Sequence, residues 1–233
     1  MKAFVLTLAL SLACVLFSGK ATAGEGFELA KPVVNALSAG TYHVKYRNNP
    51  ANFVPVTVYN VKGGMVVTYL EMQAHVRRLS RDGDLYVIDD KIQIMEVYQG
   101  RAVVPLMFGR GPYTFAGKGE KVMEGKALRY EEAVADDGVT LRFFFEDSKS
   151  LFSRSPVLSV IEAIRPEGKG RALFFITGFT SLVQDKQFEV PKEYTVRKTL
   201  QQLREDADKG KMPDDPVDKM LLDIGKTNPK EKK

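Results

Sequence analysis

His75-Val-Arg-Arg-Leu-Ser-Arg-Asp-Gly-Asp-Leu-Tyr-Val-Ile-Asp89 is the stretch whose reading decides the fold. Asp82-Gly83 lies at its centre between two runs in which apolar and polar residues alternate, and such a turn between alternating runs reads as a β-hairpin. The pattern extends in both directions, from Gly40 to Thr180. Upstream, Tyr42, Val44 and Tyr46 share one face of a first strand, Asn48-Asn49-Pro50 turns the chain, and Val54, Val56 and Val58 share a face of a second. Gly63-Gly64 accepts the positive φ of a tight turn, and Met65, Val67 and Tyr69 begin a third strand. Strands over 74–80, 85–89 and 91–98 follow. Beyond an interruption come 113–122, 126–135, 139–147, 157–165 and 171–180, with Asp136-Asp137-Gly138 and Glu167-Gly168-Lys169-Gly170 as turns. About eleven strands exceed what a flat open sheet holds without curling. The expected fold is therefore mainly β, a strongly curved, half-open antiparallel barrel.

Helices are confined to the ends. Residues 27–37 place Phe27, Val33, Val34 and Leu37 at near-helical spacing, with Pro32 restricting the start. Residues 199–209 favour helix by propensity, and the Pro, Asp and Lys beyond Met212 predict a mobile charged tail. The first 23 residues read as a secretory signal peptide: Lys2, an apolar run over 3–17, and Ala21-Thr22-Ala23 as the small-x-small cleavage pattern. An uncleaved anchor and a lipid-modified Cys14 are the alternatives; the apolar run is shorter than the roughly 20 residues that span a bilayer. The expected organisation is a signal peptide over 1–23, a β domain over 24–196, and a C-terminal helix with a tail over 197–233. Export to the periplasm follows, with membrane contact at most peripheral.

Composition narrows the chemistry. Cys14 is the single cysteine, so a chain cleaved after Ala23 has no disulfide, thiolate nucleophile or cysteine metal site. Loss of Lys2 and Lys20 leaves 32 Lys and Arg against 29 Asp and Glu, a weak excess with both signs interleaved, unlike the basic face of a nucleic-acid binder. Only His43 and His75 offer imidazole, each within an expected strand. Asp82-Gly83-Asp84 and Asp136-Asp137-Gly138 lack the spaced oxygen ligands of a calcium loop. Gly117-Lys118-Gly119 lacks the full spacing of a phosphate loop and reads as a bulge or bend. No catalytic residue, metal site or cofactor is expected, and no nucleic-acid partner.

Bulk apolar surface is what the chain does supply. Leu141-Arg-Phe-Phe-Phe145 and Ala172-Leu-Phe-Phe-Ile176 are apolar on both faces, which an antiparallel strand needs only where each face is covered. Helices or loops packed inside the curve would cover the second face; a cavity for an acyl chain or apolar peptide is the other reading. The Gly- and Pro-rich stretch over 99–112 is either a loop folded on the core or a rim over that cavity. Candidate cavity and rim residues are Tyr69, Met95, Met107, Phe108, Phe115, Tyr130, Phe143, Phe145 and Phe174.

The order of elements, together with the 75–89 stretch, Gly125-Lys-Ala-Leu-Arg-Tyr-Glu-Glu132, Leu141-Arg-Phe-Phe-Phe-Glu-Asp147 and Phe188-Glu-Val-Pro-Lys-Glu-Tyr194, resembles the LolA-like superfamily of periplasmic proteins. That group includes lipoprotein carriers and RseB-type stress sensors, and the resemblance covers roughly residues 27 to 196. It implies a half-open barrel with helices across its mouth and an apolar ligand, a lipid or acylated protein, inside. The chain departs from the carriers in its spacings, its 99–112 loop and its basic tail. The leading functional classes are an exported, non-catalytic binding protein and a cell-envelope interaction protein whose core is filled by its own side chains; an enzyme is the third, and it would need His, Asp and Ser converging in a cleft.

Overall fold

The computed structural model describes residues 27–51, 53–103, 107–147, 155–166 and 170–226. The expected signal peptide, Cys14, the 167–169 turn and the last seven residues lie outside them. One sheet organises the molecule: β1 (Thr41–Arg47), β2 (Thr57–Lys62), β3 (Met65–Leu70), β4 (Val76–Arg81), β5 (Asp84–Asp89), β6 (Ile94–Tyr98), β7 (Tyr113–Met123), β8 (Lys126–Ala135), β9 (Thr140–Glu146), β10 (Val157–Ile164), β11 (Arg171–Thr180) and β12 (Thr195–Arg197). Their spatial order is β12-β6-β5-β4-β3-β2-β1-β11-β10-β9-β8-β7. Two meanders thus meet where β1 pairs antiparallel with β11, His43 opposite Thr180. The sheet is open, mainly β and almost wholly antiparallel, as the alternation implied; among the described strands β12 alone runs parallel to its neighbour, β6.

Local chemistry accounts for the hairpins. Gly63 and Gly64 take φ values of 55° and 83°, the paired left-handed conformation that a two-residue turn needs and that glycine adopts without strain. β2 starts at Thr57, so Val54 and Val56 belong to the preceding loop rather than to the strand. His75 lies exposed in the turn before β4, one residue short of it.

Alternation divides the sheet into two faces. On one lies α1 (Lys31–Ser38), which starts four residues later than the expected 27, leaving Phe27 outside it, and buries Val33, Val34 and Leu37. Around it gather Tyr42, Val44, Leu141, Phe143, Phe145, Ile161 and Phe174. Helix α1 has no capping side chain of its own, Ala30 standing at the N-cap. Instead the buried carboxylate of Glu131, on β8, accepts the Ala30 amide at 2.7 Å and the Leu29 amide at 3.4 Å. Orphan amides at a helix start need an acceptor, and a negative charge there also meets the positive end of the helix dipole.

The link from β6 to β7 crosses the same face. Its second part folds onto the core: Phe108 is 1% exposed, with its ring 5.3 Å from that of Phe174 and 6.0 Å from that of Tyr42. Gly109 follows at φ 80°, where an added Cβ would lie 2.9 Å from the Cβ of Val139, so the loop seats this closely only because the residue is glycine.

The opposite face is covered in two ways. Over β3–β6 lies a strap, residues 181–194, whose 3-10 turn Asp185–Phe188 drops Phe188 onto Val67, Leu79, Ile88 and Met95. Over β7–β11 a smaller cluster of Met123, Leu128, Phe144 and Val160 is flanked by long charged side chains. The apolar second faces seen in the sequence are therefore core on both sides. At the C-terminal end, Thr199 and Gln202 form a reciprocal capping box on α2 (Leu200–Asp208). The mobile tail expected beyond Met212 is corrected by a third helix, α3 (Pro216–Lys226). Pro216 opens it, the Asp215 carboxylate accepts the Val217 amide at 2.7 Å, and Leu222 is buried. Propensity counted Pro and Asp as breakers where they serve as a start signal.

If Glu131 holds α1 in place, Glu131→Ala lowers unfolding stability by about 2 kcal/mol in urea titration. An unchanged midpoint would show that burial alone seats the helix.

Candidate functional site

Helix α1 and Phe108 leave part of their own face uncovered. Over β3–β6 two cross-strand rows form the floor of a groove. The first is Val66, Ser80, Leu85 and Tyr98, and the second is Thr68, Arg78, Val87 and Glu96; each residue stands opposite the next on the neighbouring strand. Val103 closes one side by donating its amide to Ser80 Oγ at 2.9 Å. The hollow so bounded has a volume of about 350 Å³, at the low end of small-ligand sites. Three of the eight floor residues, Val66, Leu85 and Val87, are aliphatic; Val66 is buried, Leu85 and Val87 are half-buried, and Arg78 is exposed.

The polar groups are few and placed. Tyr98 donates its hydroxyl to Glu96 Oε2 at 2.6 Å. That bond, then burial, pushes the Tyr98 hydroxyl up to about 12, opposed by nearby Arg78. Tyr113, beside Phe108, is also raised to about 12, chiefly by burial. The arrangement sets apolar side chains beside Thr68, Ser80 and Arg78, with the Glu96 carboxylate held by Tyr98.

A second groove, about 750 Å³, lies on the opposite face between the strap and β4–β5. Although larger, its walls are largely committed polar groups. Arg77, buried, bonds Asp90 at 3.1 Å and the carbonyls of Gln187 and Glu189 at 2.7 and 3.2 Å. Arg81 donates to the Phe188 carbonyl at 3.1 Å, and Lys62 pairs with Asp185. These contacts pin the strap; they do not make an apolar site.

On the β7–β11 half of this face Glu162 is fully buried, yet Arg171 Nε, Lys121 Nζ and Arg142 Nη1 lie 3.0, 3.2 and 3.5 Å from its oxygens. Arg142 also bonds Glu132 at 2.5 Å, and its pKa is raised above the ordinary arginine value, first by that bond. A carboxylate so paired ties β10 to cations on β7, β9 and β11 across the sheet. His43 Nδ1 meets Asn60 Oδ1 at 2.5 Å, far from exposed His75 in sequence and element. Among the described residues no three His, Cys, Asp or Glu side chains are placed to hold a metal ion.

The nine residues singled out from the sequence fall in three places. Met107, Phe108, Phe115, Phe143, Phe145 and Phe174 come together, packed with α1, and Phe115 stacks on Phe27 at 4.7 Å. Tyr69 and Met95 lie on the opposite face under the strap. Tyr130 is also on the opposite face, 5.4 Å from Phe144, with the Arg142 guanidinium 5.5 Å from its ring. Tyr130 and Phe145 border a surface hollow of about 320 Å³ beside Glu131, nearly the volume of the β3–β6 groove, and none of the nine lines that groove. Leu85, Val87 and Tyr98 were legible as same-face residues of a hairpin; nothing in the sequence marked that face as the uncovered one.

Neither a known protein-family model nor a curated protein matches this sequence. Solved structures do resemble it. An uncharacterized conserved protein from Thermus thermophilus is 9% identical, with a TM-score of 0.34, over 74% of this chain and 98% of that one. A LolA superfamily protein from Nitrosomonas europaea is 11% identical, with a TM-score of 0.28, over 70% and 98%. PNGF-II is 10% identical, with a TM-score of 0.28, over 70% of this chain but only 32% of its own length. Likenesses this distant decide neither family nor function.

The Tyr98–Glu96 bond has a pH signature. A hydroxyl whose folded value is raised contributes stability that is whole below the ordinary value near 10 and is lost as the pH rises towards about 12. Wild type loses stability across that window, and Tyr98→Phe loses measurably less in denaturant titrations at stepped pH. Equal slopes would contradict the bond.

Proposed function

We propose that this is an exported, non-catalytic binding protein that holds an apolar chain, the acyl part of a lipid or of an acylated protein, in the β3–β6 groove. The observation that supports this reading is the pair of half-buried aliphatic side chains Leu85 and Val87, beside exposed Val103, where the face runs on past the core that α1, Phe108 and Val66 fill. Arg78 at the margin suits a ligand whose chain ends in a carboxylate or phosphate. The sequence features of residues 1–23 support a periplasmic address, and with it the LolA-like reading of a carrier or sensor. Among the described residues no helix is long and apolar enough to cross a membrane.

A second reading, a cell-envelope interaction protein without a small ligand, draws on Phe53 and Met72. These side chains are 88% and 74% exposed on adjacent loops, which are tied by the Glu71 amide on the Val56 carbonyl at 2.9 Å. Exposed apolar side chains grouped in this way suit a protein partner.

Uptake of a fluorescent fatty acid separates the two. Wild type binds it, and Leu85→Asp or Val87→Asp binds at least about tenfold more weakly with its melting temperature kept, since these floor positions are half open and a charge there faces the chain. Arg78→Gln weakens the fatty acid but not the matching fatty alcohol. A wild-type protein that takes up neither probe overturns the carrier reading in favour of the second.

A further inference from the structure

β7 is an end of the sheet: eleven residues long, paired with β8 on one side and with no strand among the described residues on the other. An open edge of that length is a template for another strand unless its side chains forbid it. Here they permit one partner in particular. On the α1 face Lys118 stands opposite Glu131 and Glu120 opposite Arg129, while Gly117 and Gly119 alternate with them and place no side chain on the other face. Lys118 Nζ also lies 6.0 Å from the Phe27 ring, and an added Cβ at Gly119 would lie 3.0 Å from the Tyr130 hydroxyl, so glycine suits this close approach.

Two copies of β7 laid antiparallel, with each face of the sheet continued, must pair residues of the same face. When the two-fold axis passes through Gly119, Lys118 faces Glu120 of the second copy, twice over. The α1-face row then reads Glu131, Lys118, then Glu120 and Arg129 of the second copy, with alternating sign throughout. Moving the axis to residue 118 sets lysine against lysine, and moving it to residue 120 sets glutamate against glutamate. Charges that guard an edge against strands in general thus select one register of self-pairing. The register shift between Phe115 and Gly117 confines the match to the segment beyond it.

We propose that β7 pairs antiparallel with β7 of a second copy about an axis at Gly119, giving a low-affinity, concentration-dependent dimer. The interface is isologous and closed, so it adds one copy and stops, with both β7 edges used. Its area is small, which places it among weak, reversible contacts. This proposal is independent of the groove and of any ligand in it.

Sedimentation of the full chain over a concentration series tests it. Wild type shifts from monomer to dimer. Lys118→Glu and Glu120→Lys, alone, each weaken self-association at least about tenfold, because two attractive pairs become two repulsive ones. Mixing the two variants restores a heterodimer of near wild-type affinity, and the double exchange in one chain restores the homodimer. Both positions are exposed, and circular dichroism confirms that each variant is folded. Should Lys118→Glu unfold beside Glu131, Glu120→Lys alone still decides, since it sets Lys118 against a lysine of the second copy and leaves position 118 unchanged. A wild type that stays monomeric throughout, a dimer that neither variant weakens, or a mixture and double exchange no tighter than the singles each overturns the proposal.

Discussion

The Glu131 carboxylate, buried on β8, holds the backbone amides of Leu29 and Ala30, and through that contact a helix of eight residues is fixed over one part of one sheet face. So short a helix is marginal by itself. It persists because Val33, Val34 and Leu37 are buried against β1, β9 and β11 and because its orphan amides have an acceptor. Phe108 completes the cover by wedging between Tyr42 and Phe174. What α1 and Phe108 do not reach, the β3–β6 floor, is the part of the face available to something else.

The opposite face obeys the same demand for cover with different means. The strap brings a single large apolar group, Phe188, to Val67, Leu79 and Ile88, and buries Arg77 to satisfy its carbonyls. A guanidinium at that depth requires partners for its donors, and the strap backbone supplies them. Over β7–β11 the cover is largely charge: three cations from β7, β9 and β11 converge on buried Glu162, and two of them lie over rings, Lys121 over Phe144 and Arg142 over Tyr130.

The strands and turns were legible because their signals are local. Gly63-Gly64, Asp82-Gly83 and Asp137-Gly138 each needed only neighbouring residues to be read, and the period-2 runs placed β3 to β11 within a few residues. What was hidden depends on distance along the chain. The cap on α1 comes from 101 residues away, the strap meets β4 from about as far, and β12 finds β6 in parallel. The two-sided apolar runs of β9 and β11 announced covered faces without saying by what, so Phe143, Phe145 and Phe174 read equally well as cavity lining and as core. Their burial around α1 makes them core. The groove residues drew no notice because Leu85, Val87 and Tyr98 look like any alternating strand; only the position of α1 sets them apart.

The division of the α1 face is tested most directly by intermolecular nuclear Overhauser contacts between methyl-labelled protein and an unlabelled fatty acid. The arrangement described here places contacts at the methyls of Leu85, Val87 and Val103, with none at Val44, Leu141 or Ile161 beneath the helix. Contacts at the latter set would mean that α1 lifts to open a different cavity, and a bound fatty acid touching neither set would contradict the groove altogether.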